Sequence, residues 1–408
     1  MTPLWRNRDF VLLQSGQFMS MLGGALTSVA YPLLVLAISH SATAAGLVAF
    51  ARVAPFGLFS VLFGAIADSC NRKRLMVLSD VAGTAAVALL AALVATGHVT
   101  VWQIALLGFV DGTAATLFNA AWSGAFRSVV PQPQLPAAFA ANETRRSAQR
   151  LLGPPVGGAL YAVARSLPFV VDAASYLFST LGLLLIRTPF EEERERDTAP
   201  LRTRIADGFR FLWAQPFLRT CAFLYGIGNF LAPAMTLALV VVAQRQGLGA
   251  GQIGLLISAM GVGTLLGSLL SHAARRLLSV RAILLCEFWT WAAAWLFLVW
   301  PNAYVLAGAL ILFAAAAPVT DSVVMALYLT LTPDRLVSRV GSVRLNIALL
   351  ISPLGPLVAG FLLEATTDRA TVAALASCGL ALALLGTFSS AIREAPRLPE
   401  LRPLDAPE

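Results

Sequence analysis

Apolar residues in this chain do not alternate with polar ones as they would on a half-buried helix or strand. They run on for twenty residues or more, broken by short polar connectors. A helix needs about 20 apolar residues to cross a bilayer. Twelve such runs can be placed, at 10–38, 43–67, 75–97, 100–126, 142–164, 167–187, 217–244, 251–272, 281–300, 303–331, 340–366 and 370–392. Only the connector at 188–216 is long. There EEERERD (Glu191–Asp197) gives way to a stretch in which Ile205, Phe209 and Leu212 recur at helical spacing among Arg202, Arg204 and Arg210. That pattern predicts a short amphipathic helix on the membrane surface. The expected organisation is an all-α integral membrane protein: six helices (1–187), a cytoplasmic linker (188–216), six more helices (217–392) and a cytoplasmic tail (393–408).

Composition agrees, with 58% hydrophobic residues and only 12% charged, about half the charged share of soluble domains. A net charge of +8 would suit a nucleic-acid partner, but its placement points elsewhere. With a cytoplasmic N-terminus, Arg6, Arg8, Arg72, Lys73, Arg74, Arg127, Arg275, Arg276, Arg281, Arg335 and Arg339 fall in inner loops, and only Arg165, Arg245 and Arg369 in outer ones. This is the positive-inside bias. It predicts both termini on the cytoplasmic side of the cell membrane and no nucleic-acid partner. The first apolar run is too long for the core of a cleavable signal peptide. Cys70, Cys221, Cys286 and Cys378 form no CxxC, and His40, His98 and His272 stand alone near span ends. No metal site is expected. No HExxH, nucleophile elbow or P-loop is present, so no enzyme and no cofactor are expected.

The two halves resemble each other. At an offset of 202 residues Pro131 falls on Pro333, Leu152 on Leu354, Gly153 on Gly355, Pro154 on Pro356 and Gly158 on Gly360. Repeated halves with Gly-Pro in equivalent helices are the signature of a secondary transporter.

The loop Gly64-Ala-Ile-Ala-Asp68-Ser-Cys-Asn-Arg72-Lys73 is similar to the G-x-x-x-D-R-x-G-R-R loop of the major facilitator superfamily, with Ser69 and Asn71 departing from it. The opening LWRNRDFVLLQSGQFMSMLG and the stretch GFRFLWAQP resemble the branch containing macrolide-efflux proteins and the enterobactin exporter. The resemblance implies two pseudo-symmetric six-helix bundles that rock about a central cavity, working as a monomer. It also implies that Asp68 latches onto span 11 when the cytoplasmic side closes, with Gly64, Arg72 and Lys73 completing the loop. Gly153-Pro154-Pro155-Val156-Gly157-Gly158 matches the core of the family's antiporter motif G-P-x-x-G-G. Gln149 and Ala140 stand where the full motif has glycines. In the family, spans 5/8 and 2/11 meet across the bundles. The small-residue pairs Gly153/Gly157, Gly263/Gly267, Ser60/Gly64 and Gly355/Ala359, with Pro356, are therefore expected at that interface.

Ionisable groups inside spans are costly and need a reason. Asp111 in span 4 and Arg52 in span 2 lie at similar depth, so they are expected to pair or to share a hydrated pocket. The pair would be a proton-coupling site or a static salt bridge. Asp321 in span 10 is a second candidate for coupling or substrate contact. Asp80 and Glu287 are read as parts of the latch, and Asp172 and Glu364 as facing interfacial water. Where the resembled branch carries an acid after S-x-x-G, Ser20–Gly23 is followed by Gly24. Cavity contacts are expected from Gln17, Asn119, Trp122, Tyr225 and Asn229. The cavity spans carry no arginine cluster for an anion on this reading, which favours a bulky amphipathic or cationic compound. The functional expectation is efflux of such a compound (a drug, macrolide-like antibiotic or siderophore) in exchange for protons, drawing on the proton gradient. The alternatives are a nutrient symporter and a transport-inactive membrane sensor.

Overall fold

The computed structural model describes residues 6–190 and 201–395. The acidic run Glu191–Asp197 and the tail beyond residue 395 lie outside the described residues. Among those described there are helices and turns but no strand. The first half comprises α1 (Arg8–Ser39), α2 (Ala42–Ser69), α3 (Arg72–Ala95), α4 (Val101–Val129), α5 (Leu135–Val163) and α6 (Leu167–Leu185). A linker helix, α7 (Leu201–Ala214), leads into α8 (Pro216–Arg245), α9 (Ala250–Leu277) and α10 (Val280–Thr290). The chain then passes through a 3-10 stretch, Trp291–Trp295, into α11 (Leu296–Val299), α12 (Ala303–Leu331), α13 (Asp334–Ile351), α14 (Leu354–Ala365), α15 (Asp368–Phe388) and α16 (Ser390–Arg393).

Local chemistry sets these bounds. Asn7, Ser41, Asn71 and Thr100 cap the first four helices through side-chain oxygens that accept from early backbone N–H groups. Span 11 is two helices rather than one because Pro353 cannot donate and crowds the preceding turn. Eleven segments are long and apolar enough to cross a membrane. The twelfth, α5, carries Arg145, Arg146 and Arg150 around its middle. The fold is that of two six-helix bundles.

The end of the molecule where α1 begins and α15 finishes is here the terminal face; the opposite end is the far face. At the far face the bundles touch along two pseudo-symmetric seams, α5 on α9 and α2 on α14. A Cβ added at Gly254 would strike the carbonyl of Pro154, and one at Gly46 that of Pro356. A Cβ at Gly158 would strike the carbonyl of Ala250, and one at Gly360 that of Ala42. These are backbone-to-backbone approaches that only glycine permits.

The small-residue pairs therefore need correcting. Gly153 and Gly157 pack on Ala25 and Leu26 of α1, Gly263 and Gly267 on Ile311 and Ala315 of α12, and Gly355 on Phe230 of α8. All five tighten their own bundle. On α5 the interface falls one position further round, at Gly158, a step of about 100°, and on α14 it falls at Gly360.

Further contacts lock the far face. Ser258 Oγ donates to the Leu151 carbonyl at 2.6 Å; further along α2 towards the terminal face, Ser60 Oγ donates to Asn346 of α13 at 2.8 Å, so this expected interface residue does cross between the bundles. The Glu364 carboxylate accepts from Ser41 Oγ at 2.6 Å and from the Thr43 backbone N–H at 2.9 Å. Glu364 is exposed but not idle: it sits at the N-terminus of α2, where the helix dipole favours an anion.

Towards the terminal face the bundles part. Nothing lies within 4 Å of a Cβ built on Gly64. The Asp68 side chain is 66% exposed, with Arg72, at the start of α3, 3.9 Å away. Arg72 donates instead to the Phe190 carbonyl (3.0 Å) and Lys73 to those of Leu184 (3.2 Å) and Ile186 (2.7 Å). Lys73 thereby satisfies open carbonyls at the end of α6, and Arg72 one in the segment that follows it. The helix α7 does not simply lie on the membrane: it docks on α13, where Arg339 donates to Asp207 at 2.7 Å and Leu212 is buried. Phe209 and Trp213 stay half-exposed and stack on each other.

A leucine at Gly254 cannot be accommodated by a side-chain shift, since its neighbour is backbone. Gly254→Leu is expected to hold the far face open. With the native cysteines replaced and a reporter at Ser28→Cys, labelling by an impermeant maleimide from the far side should rise at least about tenfold, the response to about 1.4 kcal/mol of bias. Unchanged labelling would refute the seam.

Candidate functional site

Two polar centres lie inside the molecule. The first is a cavity of about 800 Å³ between the bundles. Its walls come chiefly from α8, α9, α10 and α12, with Ala25 and Ser28 of α1 and Ser147, Arg150 and Pro154 of α5 facing them. Glu287 and Asp321 bring negative charge, and Phe288, Trp291 and Phe313 bring aromatic surface. Trp291 and Phe313 stack with centroids 4.3 Å apart. Tyr225 donates to Glu287 at 3.2 Å, which holds that carboxylate against the wall.

Two of the five expected cavity residues, Tyr225 and Asn229, line this space. Trp122 does not: it is 7% exposed and packs on Phe126 in the first bundle's core, centroids 4.8 Å apart. Gln17 is buried and accepts from Arg145 at 2.6 Å, part of a network with Gln14 and Asn142. Asn119 donates back to the Ala115 carbonyl of its own helix and is not among the lining residues.

Glu287 belongs to the cavity wall rather than to a loop latch. Asp80 is fully enclosed, with Ser179 of α6 as its side-chain neighbour. The reading that the cavity spans lack clustered arginines is also corrected. Arg145, Arg146 and Arg150 follow within six positions on α5, and Arg150 reaches the cavity.

The second centre lies within the first bundle. Arg52 Nε donates to Asp111 Oδ2 at 3.2 Å, so the expected pair forms directly. The Tyr176 hydroxyl donates to the other Asp111 oxygen at 2.8 Å. The guanidinium also lies 4.5 Å over the Tyr31 ring and donates to Thr27 Oγ1 at 2.9 Å. Thr27 in turn donates to Asp172 at 3.0 Å. The helices can close on this cluster because a Cβ at Gly112 would meet the Arg52 carbonyl, and one at Gly23 the Asp172 carboxylate.

Asp172 was expected in interfacial water near a span end. It is 0% exposed. Its depth of only about 8 Å from the helix start misleads because α1 covers it. Hydropathy reports depth along a helix, not which face is turned inward. Tyr176, one turn on from Asp172, is the only sequence hint, and aromatic residues in spans are too common to read.

Breaking a buried ion pair costs about 3–5 kcal/mol when one charge is left alone. Arg52→Met should therefore lower thermal stability strongly at alkaline pH, where the orphaned carboxylate is ionised. The loss should shrink at acid pH, where that carboxylate takes up a proton. Unfolding followed in detergent at two pH values checks this; a pH-independent loss would contradict it.

Comparison with known proteins agrees with the fold. Residues 1–405 match the family model of transmembrane secretion effectors. The multidrug efflux pump Tap of Mycolicibacterium fortuitum is 28% identical over 386 residues, covering 91% of this chain and 93% of that protein. The enterobactin exporter EntS of Escherichia coli O139:H28 (strain E24377A / ETEC) is 27% identical over 330 residues, covering 79% and 78%. Among solved structures, a bacterial homologue of the iron transporter ferroportin in an inward-facing state superposes with a TM-score of 0.74 at 15% identity, covering 95% of this chain and 99% of that one. The nucleoside transporter NupG gives 0.69 at 14% identity, covering 96% and 100%. The chain is a multi-pass membrane transporter and belongs to the transmembrane secretion effector family of the major facilitator superfamily.

Proposed function

We propose that this chain is an exporter that moves an amphipathic organic compound out of the cytoplasm by alternating access, in exchange for protons. The observation that carries the reading is the inter-bundle cavity, shut at the far face by the glycine seams and open towards the terminal face. The arginine-rich loops assign the terminal face to the cytoplasm, at the inner membrane of the cell. A compound would then enter from inside, and release would follow when the far seams part and the terminal face closes. In that closed state Asp68 would meet α13. The relatives Tap and EntS, a multidrug efflux pump and an enterobactin exporter, support the outward direction.

The cavity chemistry bears on the cargo. Stacked aromatic rings suit an apolar body, and Glu287 with Asp321 suit a cationic group. Arg150 on the opposite wall adds a place for a polar or anionic substituent. Arg52 and Asp111 are the proposed coupling pair, since a proton on the carboxylate competes with the guanidinium for it. The transporter is proposed to act as a monomer without a cofactor.

Everted vesicles held acid inside, with a pH-sensitive dye, test this reading against ethidium, erythromycin and a catecholate siderophore. A transported compound should release protons in wild type and none in Asp111→Asn. Glu287→Gln should raise the half-saturating concentration for ethidium about tenfold, as the loss of about 1.4 kcal/mol of charge contact requires, and leave an uncharged compound unaffected. Compound-driven movement in the opposite direction, with protons following it, would replace export by symport.

A further inference from the structure

We infer that Asp111 and Asp172 form a two-carboxylate site around Arg52 that holds a single proton, so that the coupling proton is stored inside the first bundle and not in the cavity. This rests on the proton-exchange reading for its role in transport, but the site itself stands on geometry.

Asp111 and Asp172 are 2% and 0% exposed. They arrive on different helices, α4 and α6, and converge on one cation from α2. Arg52 bonds Asp111 directly and reaches Asp172 through the Thr27 hydroxyl, which accepts from the guanidinium and donates to the carboxylate. Among the described residues the other titratable groups facing the pair are Tyr31 of α1, whose ring lies under the guanidinium, and Tyr176 of α6, which donates to Asp111, both neutral at ordinary pH. Asp80 of α3 lies beside Ser179, two turns along α6 from Asp172. Two ionised carboxylates and one guanidinium would leave a net charge enclosed in a low-dielectric bundle, which is among the costliest arrangements a membrane protein can hold. One proton on the pair makes the cluster neutral.

The position of Arg52 ties this proton to movement. Its side chain is 20% exposed, the one part of the cluster with an opening; on that side it donates to the Gly24 carbonyl at 3.3 Å, and even a Cβ added at Gly24 would stay 3.9 Å from the guanidinium. On another face of the same helix, Gly46 and Gly57 press against the backbones of Pro356 and Leu349 in the opposite bundle. When the proton leaves to water, both carboxylates compete for the guanidinium, and any shift of Arg52 is passed through α2 to the inter-bundle seam. When the proton returns, Asp111 keeps the guanidinium alone. The cavity that takes the cargo lies on the other side of α1, whose Ala25 and Ser28 line it while Thr27 belongs to the cluster.

Infrared spectroscopy on purified protein in lipid nanodiscs at neutral pH tests the site without a transported compound. In difference spectra, the same single protonated-carboxyl carbonyl band of wild type, shifted in heavy water, should be lost in Asp172→Asn and lost equally in Asp111→Asn, bands from other enclosed carboxyls such as Asp80 cancelling. Either variant leaves one carboxylate for one guanidinium, so the survivor is ionised. The band should persist in Asp80→Asn. Independent carboxyls would lose it in one variant alone, and persistence in either variant overturns the proposal. In everted vesicles, Asp172→Asn should abolish ethidium-driven proton release yet retain ethidium counterflow at equal pH on both sides. Proton release persisting in Asp172→Asn would overturn the coupling role. Ethidium flux without proton release in wild type would remove the antiport reading, and the infrared result would still decide the site.

Discussion

Inside a bilayer there is no hydrophobic drive to press two helices together, so everything here depends on how closely two backbones can approach. Four glycines set that distance at the far face. Gly46 and Gly254 receive proline carbonyls from the opposite bundle, and Gly158 and Gly360 receive the first-turn carbonyls of α9 and α2. The same contact is made twice, once on each side of the pseudo-twofold axis. Because these seams close only the far half, the space beneath them becomes a cavity with one open end.

The two bundles are alike in architecture and unlike in where they keep charge. The first encloses Arg52, Asp111 and Asp172 in a packed interior that the cavity does not reach. The second places Glu287 and Asp321 on the cavity wall. On the proposed proton-exchange reading, such a separation means that the proton and the cargo need not occupy the same space. The link between them is mechanical: α2 carries Arg52 on one side and the α14 contact on another, while α1 divides the cluster from the cavity.

A good part of this was legible beforehand. Uninterrupted apolar runs placed the spans because the bilayer imposes a length that composition must obey. The 202-residue repeat exposed the two halves, and the near-equal depth of Arg52 and Asp111 in adjacent spans anticipated their contact. The cavity residues were read less well. Tyr225 and Asn229 line it, whereas Trp122 and Gln17 face into their own bundle. A polar or aromatic residue at the right depth has the same chance of facing any neighbour, and depth is all that a linear pattern measures.

By itself, then, the sequence determined the solvent, the number of crossings, the twofold repeat and the sidedness that its arginines favour. Each of these follows from composition summed over tens of residues, where single errors average out. The rotation of each helix about its axis was decided by the tertiary structure alone. It turned Gly158 instead of Gly157 towards the opposite bundle, and drew Asp172 out of reach of water to sit beside Thr27. One residue's difference in position is about 100° of helix face, and only packing against particular neighbours selects among faces.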